Sequence, residues 1–369
     1  MKAGHISERK WMGHRKFAVY TVVILIIFVA VNYLIWKCAT EVLLTKKFAG
    51  GDLARMGYQL GSKEHIKLSF DLPIRHLEMK DFSGQPVDVM TIGDSFSNGG
   101  GEGRNSYYQD YLASINKFTV LNVYPYPCKD HIMGVAPITT LTILYNSGYL
   151  DLIKPKYILI QSTERNCILR FTPPFSFTQS ADRDDIKKYY AKNSGIDPNY
   201  LPKVGFINQG NFNFLFRNFM YLFSDNALRR LVYKKRLTQP LFSVKNSQTL
   251  LFHGDDLKNL SLATPEAIGK LNDNLNRLSD ILAGKGIRLV FMPVVDKYNL
   301  YSDFIIGNPY PRSVFFEELR PLPHRYQLID TKSILLVHLK KGEKDIFRAD
   351  DTHWSWKASK RIFETIRFD

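Results

Sequence analysis

Cysteine is scarce, with three residues in 369, at Cys38, Cys128 and Cys167. That number excludes a disulfide framework, and the spacing fits no zinc-ligand pattern. Cys128 and Cys167 each follow an expected strand. In an oxidising compartment they either pair across the top of a sheet or remain two inert buried thiols. Internal repeats and low-complexity tracts are also lacking, which excludes a solenoid and a disordered chain. Acidic residues are in deficit, 35 Asp and Glu against 50 Lys and Arg, for a formal charge of +15. Asp350, Asp351 and His353 are the nearest approach to a metal-ligand set, but no second local histidine or carboxylate cluster accompanies them. Neither a metal nor a cofactor is therefore expected.

Charge is absent altogether from Phe17 to Trp36, a run of twenty residues long enough for about 30 Å of helix. Lys2, Arg9, Lys10, Arg15 and Lys16 precede it against the single acid Glu8. The positive-inside rule then keeps residues 1–16 in the cytoplasm and sends everything after the 17–36 span outside, to a periplasmic or extracellular location. The residues after Trp36 do not resemble a signal-peptidase site, so an uncleaved single-pass anchor is expected. Outside the tail, basic residues thicken in Arg229-Arg230, Lys234-Lys235-Arg236 and Lys245. This stretch is either a face for acidic lipid or an anionic polymer, or an ordinary solvated helix face; nucleic acid is not an expected partner outside the cell.

With 45% hydrophobic residues the remaining chain can bury a full core. Residues 37–80, interrupted by Gly50, Gly51 and Gly57, are expected to form a juxtamembrane stalk leading to a domain over 81–369. Val87 to Ile92 is a β-branched apolar run that Gly93 stops, as in an interior strand of a parallel sheet. A helix at 107–115, a strand at 118–123, a helix at 137–153 and a strand at 157–161 follow. Regular periodicity then lapses from about 170 to 262, an expected insertion rich in Phe, Asn and Pro. Its aromatic residues either line a carbohydrate groove or form a satellite core. Thr264-Pro265-Glu266 opens a helix in which Ile268, Leu271, Leu275, Leu278 and Leu282 recur at spacings of three and four. Strands at 287–292 and 327–330, with helices near 314–319, 334–338 and after Trp354, complete a β/α alternation. The expected architecture is a three-layer α/β domain, flavodoxin-like, with a parallel sheet of about five strands.

In such sheets ligands bind beyond the carboxyl ends of the strands, which is where Gly93-Asp94-Ser95 falls. A serine needs a base within hydrogen-bond reach and a third group to orient that base. Asp351 and His353, with one residue between them on an extended loop, project to the same side and can supply both; Asp350 is the alternative orienter. Asp94 is expected to fix the turn through backbone hydrogen bonds.

Gly93 to Ser97, GDSFS, and Asp351 to Trp354, DTHW, resemble the first and last blocks of the SGNH/GDSL hydrolase superfamily, and especially its polysaccharide O-acetyltransferase branch, the alginate acetylation proteins. The close Asp-x-His pair followed by Trp is the branch's spacing, but here the pair follows the serine, whereas in the alginate proteins it precedes it. Pro293 to Tyr301 is similar to a strand-end Pro-x-x-Lys segment of these relatives. The resemblance covers roughly residues 85–165 and 285–369 and leaves out the insertion.

The resemblance implies an SGNH-like fold and an acyl-serine intermediate on Ser95, with His353 as base and Asp351 as orienter. It implies an oxyanion hole from the Ser95 N–H, a glycine and an asparagine, for which Gly134 and Asn166 are candidates and Arg165 an alternative donor. Lys297 either contacts substrate or caps a helix. The implied activity is O-acetylation of a cell-envelope polysaccharide, with a membrane-bound O-acyltransferase as the acetyl-donating partner. The alternatives are a carbohydrate esterase or deacetylase using the same triad, and a non-catalytic glycan-binding envelope protein.

Overall fold

The computed structural model describes residues 4–44, 51–64, 71–101, 106–127, 137–192 and 204–368. Its centre is a six-stranded, wholly parallel sheet: β1 (Leu77–Glu78), β2 (Val89–Ile92), β3 (Val120–Val123), β4 (Tyr157–Thr163), β7 (Arg288–Val294) and β8 (Gln327–Leu328). The numbering leaves β5 (Val232–Arg236) and β6 (Thr249–His253) for a separate antiparallel hairpin within the insertion. The order across the sheet is β1-β3-β2-β4-β7-β8. Every residue of β2 and β3 is buried, as apolar strands covered on both faces must be.

The chain leaves β2 for β3 on one side and leaves β4 for β7 on the other. With right-handed crossovers the connecting helices therefore fall on opposite faces, and the carboxyl ends of neighbouring β2 and β4 bound the crevice between them. Helices Tyr108–Asn116, Trp356–Thr365 and Thr331–Lys340 pack together, and Glu164–Phe171, Pro265–Ala283 and Phe315–Leu319 form a second group. Thr264 caps the longest of these by accepting the Ala267 N–H at 3.2 Å.

The five expected strands are present, and β1 is an addition. Two half-buried residues at the sheet edge carry no alternation by which a sequence could announce a strand. The expected 137–153 helix is two helices, Pro137–Asn146 and Tyr149–Ile153, because Gly148 turns between them with φ +71°. Lys234-Lys235-Arg236 lies on β5 and not on a helix.

The stalk expectation is also corrected for residues 51–64. A short helix, Asp52–Gly57, buries Leu53 and Ala54, and the segment hydrogen-bonds to residues 348–352 at the far end of the chain. A free stalk would have left those backbone groups in water.

At the N-terminus a continuous helix runs from Gly4 to Ile35 and continues through a π-helical turn, Trp36–Thr40, to Leu44. Gly13–Leu44 is long and apolar enough to cross a membrane, with mean hydropathy 2.6 over its most apolar window.

Candidate active site

Ser95 lies three residues beyond the end of β2, in a turn that its neighbours hold from several sides. Gly93 permits the turn, since a Cβ there would lie 2.1 Å from Ser97 Oγ and 2.3 Å from Gln161 Oε1. Asp94 is buried and accepts four hydrogen bonds. The Phe96 N–H and Gln161 Nε2 reach Oδ1 at 3.2 and 2.9 Å, and the Thr163 N–H and Arg170 Nη1 reach Oδ2 at 2.9 and 2.6 Å. Burial opposes its charge, but the Arg170 guanidinium and these donors hold the carboxyl below its ordinary pKa. Asp94 thus ties the turn after β2 to the end of β4.

His353 comes from the loop between the Thr331–Lys340 and Trp356–Thr365 helices. Its Nε2 is 2.8 Å from Ser95 Oγ, and its Nδ1 is 2.6 Å from Asp351 Oδ1. The same carboxylate oxygen accepts the His353 N–H at 2.9 Å. The ring packs 4.6 Å from Phe96, which also meets Trp354 edge-on at 5.0 Å, so its plane is fixed by aromatic contacts as well as by hydrogen bonds. Burial disfavours the imidazolium, but the charge and hydrogen bond of Asp351, with Asp52 and Asp94 behind, outweigh it and raise the pKa above the ordinary 6.5.

The orienter is Asp351. Asp350 instead points Oδ2 at the N–H groups of Gly51 and Glu64, both at 2.9 Å. This begins a clamp from the segment after the N-terminal helix. The Asp52 N–H donates to Asp351 Oδ2 at 3.2 Å, while Asp52 Oδ1 and Oδ2 accept from the N–H and Oγ1 of Thr352 at 2.7 and 2.5 Å. Glu64 accepts the Ala349 N–H at 3.0 Å and pairs with Arg348 at 3.1 Å. Burial and the nearby Asp351 charge raise the Asp52 pKa.

Lys297 acts on the same loop from below. Its ammonium, 2% exposed, donates to the carbonyls of Arg348, Ala349 and Asp351 at 2.6, 3.2 and 3.0 Å. Burial lowers its pKa to about 8, even with Asp350, Asp351, Asp52 and Glu64 favouring the charge. The Lys297 ammonium is thus engaged by loop carbonyls and does not cap a helix. It is a buried strut for the loop that carries the acid and the base.

Asp52, Asp351 and His353 place potential ligand atoms within 4.8 Å of one another. The hydrogen bonds above already account for the cluster. His353 Nδ1 and Asp351 Oδ1 are at hydrogen-bond separation, 2.6 Å.

Of the expected oxyanion donors, the side chains of Arg165 and Asn166 are engaged with other groups. Arg165 gives Nη1 to the buried carboxylates of Asp256 and Asp296 at 3.0 and 2.8 Å, a salt-bridge network that consumes its charge. Asn166 Nδ2 donates to Thr163 Oγ1 at 2.9 Å, at the start of its own helix. Gly134 and Cys128 lie outside the described residues. Cys167 is a buried free thiol whose pKa burial pushes well up, as an inert cysteine requires.

Two features went unread in the sequence. One is the Asp52 and Glu64 clamp, which pairs residues nearly 300 positions apart. The other is Gly100, in the visible Asn98-Gly99-Gly100-Gly101 run, where a Cβ would come within 2.2 Å of His353 Nε2.

Fold and site together define an α/β protein with an apolar N-terminal helix and a hydrogen-bonded Ser-His-Asp chain at the carboxyl edge of a parallel sheet. No family model matches this chain, and neither a curated protein nor a solved structure matches it.

Proposed function

We propose that the protein is a membrane-anchored, extracytoplasmic SGNH-type O-acyltransferase that moves an acetyl group onto hydroxyls of a cell-envelope polysaccharide. The observation that carries this reading is the continuous chain from Ser95 Oγ through both nitrogens of His353 to Asp351, with both contacts at hydrogen-bond length. Ser95 Oγ attacks the acyl carbonyl while His353 Nε2 takes its proton, and Asp351 stabilises the imidazolium through Nδ1. The tetrahedral adduct collapses as the leaving oxygen takes that proton back, giving acyl-Ser95. An acceptor hydroxyl then loses its proton to His353 and attacks the ester, and the returning proton regenerates the serine. The Ser95 N–H makes no hydrogen bond among the described residues, which leaves it free for the oxyanion.

A cleft of about 460 Å³ lies on the outer side of the loop that carries the acid and the base, and neither Ser95 nor His353 lines it. It is lined by Lys63, Glu64, Lys245, Asp345, Arg348 and Lys357, among others, with Arg348 paired to Glu64 and Lys357 to Asp345.

The test uses the full-length protein in detergent with a labelled acetyl ester and an envelope oligosaccharide. Label passing to the oligosaccharide, and lost by about 10⁴-fold in Ser95→Ala, is expected. Label passing only to water would make the protein an esterase. Full transfer by Ser95→Ala would end the catalytic reading.

A further inference from the structure

The insertion contains a helix, Gln209–Met220, whose polarity is reversed for a surface in water. Asn211, Arg217 and Asn218 face the protein. Asn211, 1% exposed, accepts from Thr40 Oγ1 at 2.6 Å and donates to Asn32. Arg217 donates to the Met56 carbonyl and lies 5.3 Å over the Tyr58 ring, and Asn218 donates to the Tyr58 carbonyl at 3.1 Å. The outward stripe is apolar: Phe212, Leu215 and Phe219 are 61%, 50% and 55% exposed, and Leu222 and Phe223, just past the helix, are each 74% exposed. Large apolar side chains at this density exceed what a water-facing surface ordinarily carries.

The surface is continuous with the N-terminal apolar helix. Trp36 Nε1 donates to the Val204 carbonyl at 2.9 Å, and Phe206 closes an apolar groove whose other wall runs from Leu25 to Trp36. Beyond the stripe the chain turns through left-handed Ala227, Leu228 and Arg230, leaving Leu228 70% exposed beside exposed Arg229 and Arg230. An apolar stripe with a basic margin, beside the end of a membrane-crossing helix, has the chemistry of a bilayer interface: acyl chains for the Phe and Leu residues, anionic headgroups for the arginines.

We propose that helix Gln209–Met220 and the turn after it are embedded in the interfacial layer of the membrane that the N-terminal helix crosses. The occupant of the apolar surface is lipid. The inference rests on the membrane reading of that helix and is independent of the chemistry at Ser95. It assigns the insertion a role that the resemblance does not cover, seating the α/β domain on the bilayer. The inner side of the same helix supports the catalytic loop at one remove. Phe214 packs against Leu43, Ala54 and Tyr58, and the Ala54 N–H donates to the Asp350 carbonyl at 2.9 Å.

The experiment reconstitutes the unmodified full-length chain in vesicles of zwitterionic and anionic phospholipid, in roughly a three-to-one ratio, containing a lipid with a diazirine in its acyl chain. After illumination the labelled peptides are mapped by mass spectrometry. Label is expected on residues 17–36 and also on 206–231, the latter at least about tenfold above the peptide holding Val337, an exposed apolar residue 51% accessible in the α/β domain. Label on 206–231 no greater than at Val337 overturns the proposal. So does an unlabelled 206–231 that cross-links to a second copy or to a co-reconstituted protein. A second measurement uses the Leu222→Arg, Phe223→Arg double variant, whose sites are too exposed for the change to unfold the domain. Its label on 209–220 should fall at least about tenfold with the melting temperature in detergent held; retained label contradicts the proposal.

Discussion

Gly100→Ala tests whether the spacing of the serine and the histidine is what the protein depends on. A Cβ at position 100 would fall 2.2 Å from His353 Nε2, 2.6 Å from its Cδ2 and 2.7 Å from the Ser95 carbonyl oxygen. Ordinary contact needs about 3.4 Å, so the imidazole must retreat by roughly an ångström. Phe96 at 4.6 Å and the Asp351 hydrogen bond at 2.6 Å limit where the ring can go. The 2.8 Å contact to Ser95 Oγ is the one that gives. Misplacement by about 1 Å costs some 10²-fold, and complete loss of the base costs more than 10⁴-fold. We therefore expect a 10²–10⁴-fold fall in rate, about 3–5 kcal/mol of transition-state stabilisation. The Ser95 carbonyl, as backbone, must also shift, so some loss of melting temperature accompanies the loss of rate, and the rate is the readout that bears on the geometry. The assay pairs initial rates of nitrophenyl acetate cleavage with thermal unfolding in the same detergent. Gly269→Ala is the control: nothing lies within 4 Å of its Cβ position on the Pro265–Ala283 helix. It should gain roughly 0.5–1 kcal/mol of stability at unchanged rate. A Gly100→Ala rate within about threefold of wild type would refute the geometric argument.

Three further outcomes follow from the surroundings of the site. His353 must be neutral to accept the Ser95 proton, and its pKa is raised, so kcat/KM should fall on the acid side with an apparent pKa above the ordinary 6.5. Asp351→Asn should shift that limb to lower pH, and a profile flat through this region would contradict the base assignment. Lys297→Met removes the ammonium under three loop carbonyls. It should cost about 3 kcal/mol in denaturant unfolding and lower kcat more than it raises KM, because the loop carries Asp351 and His353. Asp94 has a folded-state pKa below its unfolded value, so its stabilising contribution is present above the unfolded pKa and lost as pH falls through the folded one. Asp94→Asn leaves Arg170 buried without its counter-charge and should cost about 3–5 kcal/mol near neutral pH. The difference from wild type should shrink when both are unfolded below the carboxylate range.

The strands were legible where burial on both faces forces an unbroken apolar run, as in β2, β3, β4 and β7, and illegible in β1, where two half-buried residues join the sheet edge. Ser95, Asp351 and His353 were legible for a local reason: a strand-end turn, and a two-residue spacing that puts acid and base on one side of an extended loop. Their supports were not. Asp52 and Glu64 reach the loop across nearly 300 residues, and nothing in the 51–64 segment marks a carboxylate whose partner is a distant backbone N–H. Arg165 was misjudged because its partner Asp256 lies in the insertion, where periodicity gave no hold on placement. Lys297 was found but misread: its position after β7 was clear, whereas its burial depends on how the 348–351 loop folds over it.

The central claim is that Ser95 is an activated nucleophile, and fluorophosphonate labelling of the full-length protein tests it most directly. The phosphonate forms a bond to Oγ as fluoride leaves, and the base must take the serine proton for this to proceed. The account predicts one phosphonyl group per chain, on Ser95, abolished in Ser95→Ala and slowed at least about 10³-fold in His353→Ala with the fold intact. A well-folded protein that takes no label at Ser95, or takes it equally fast without His353, would contradict the account.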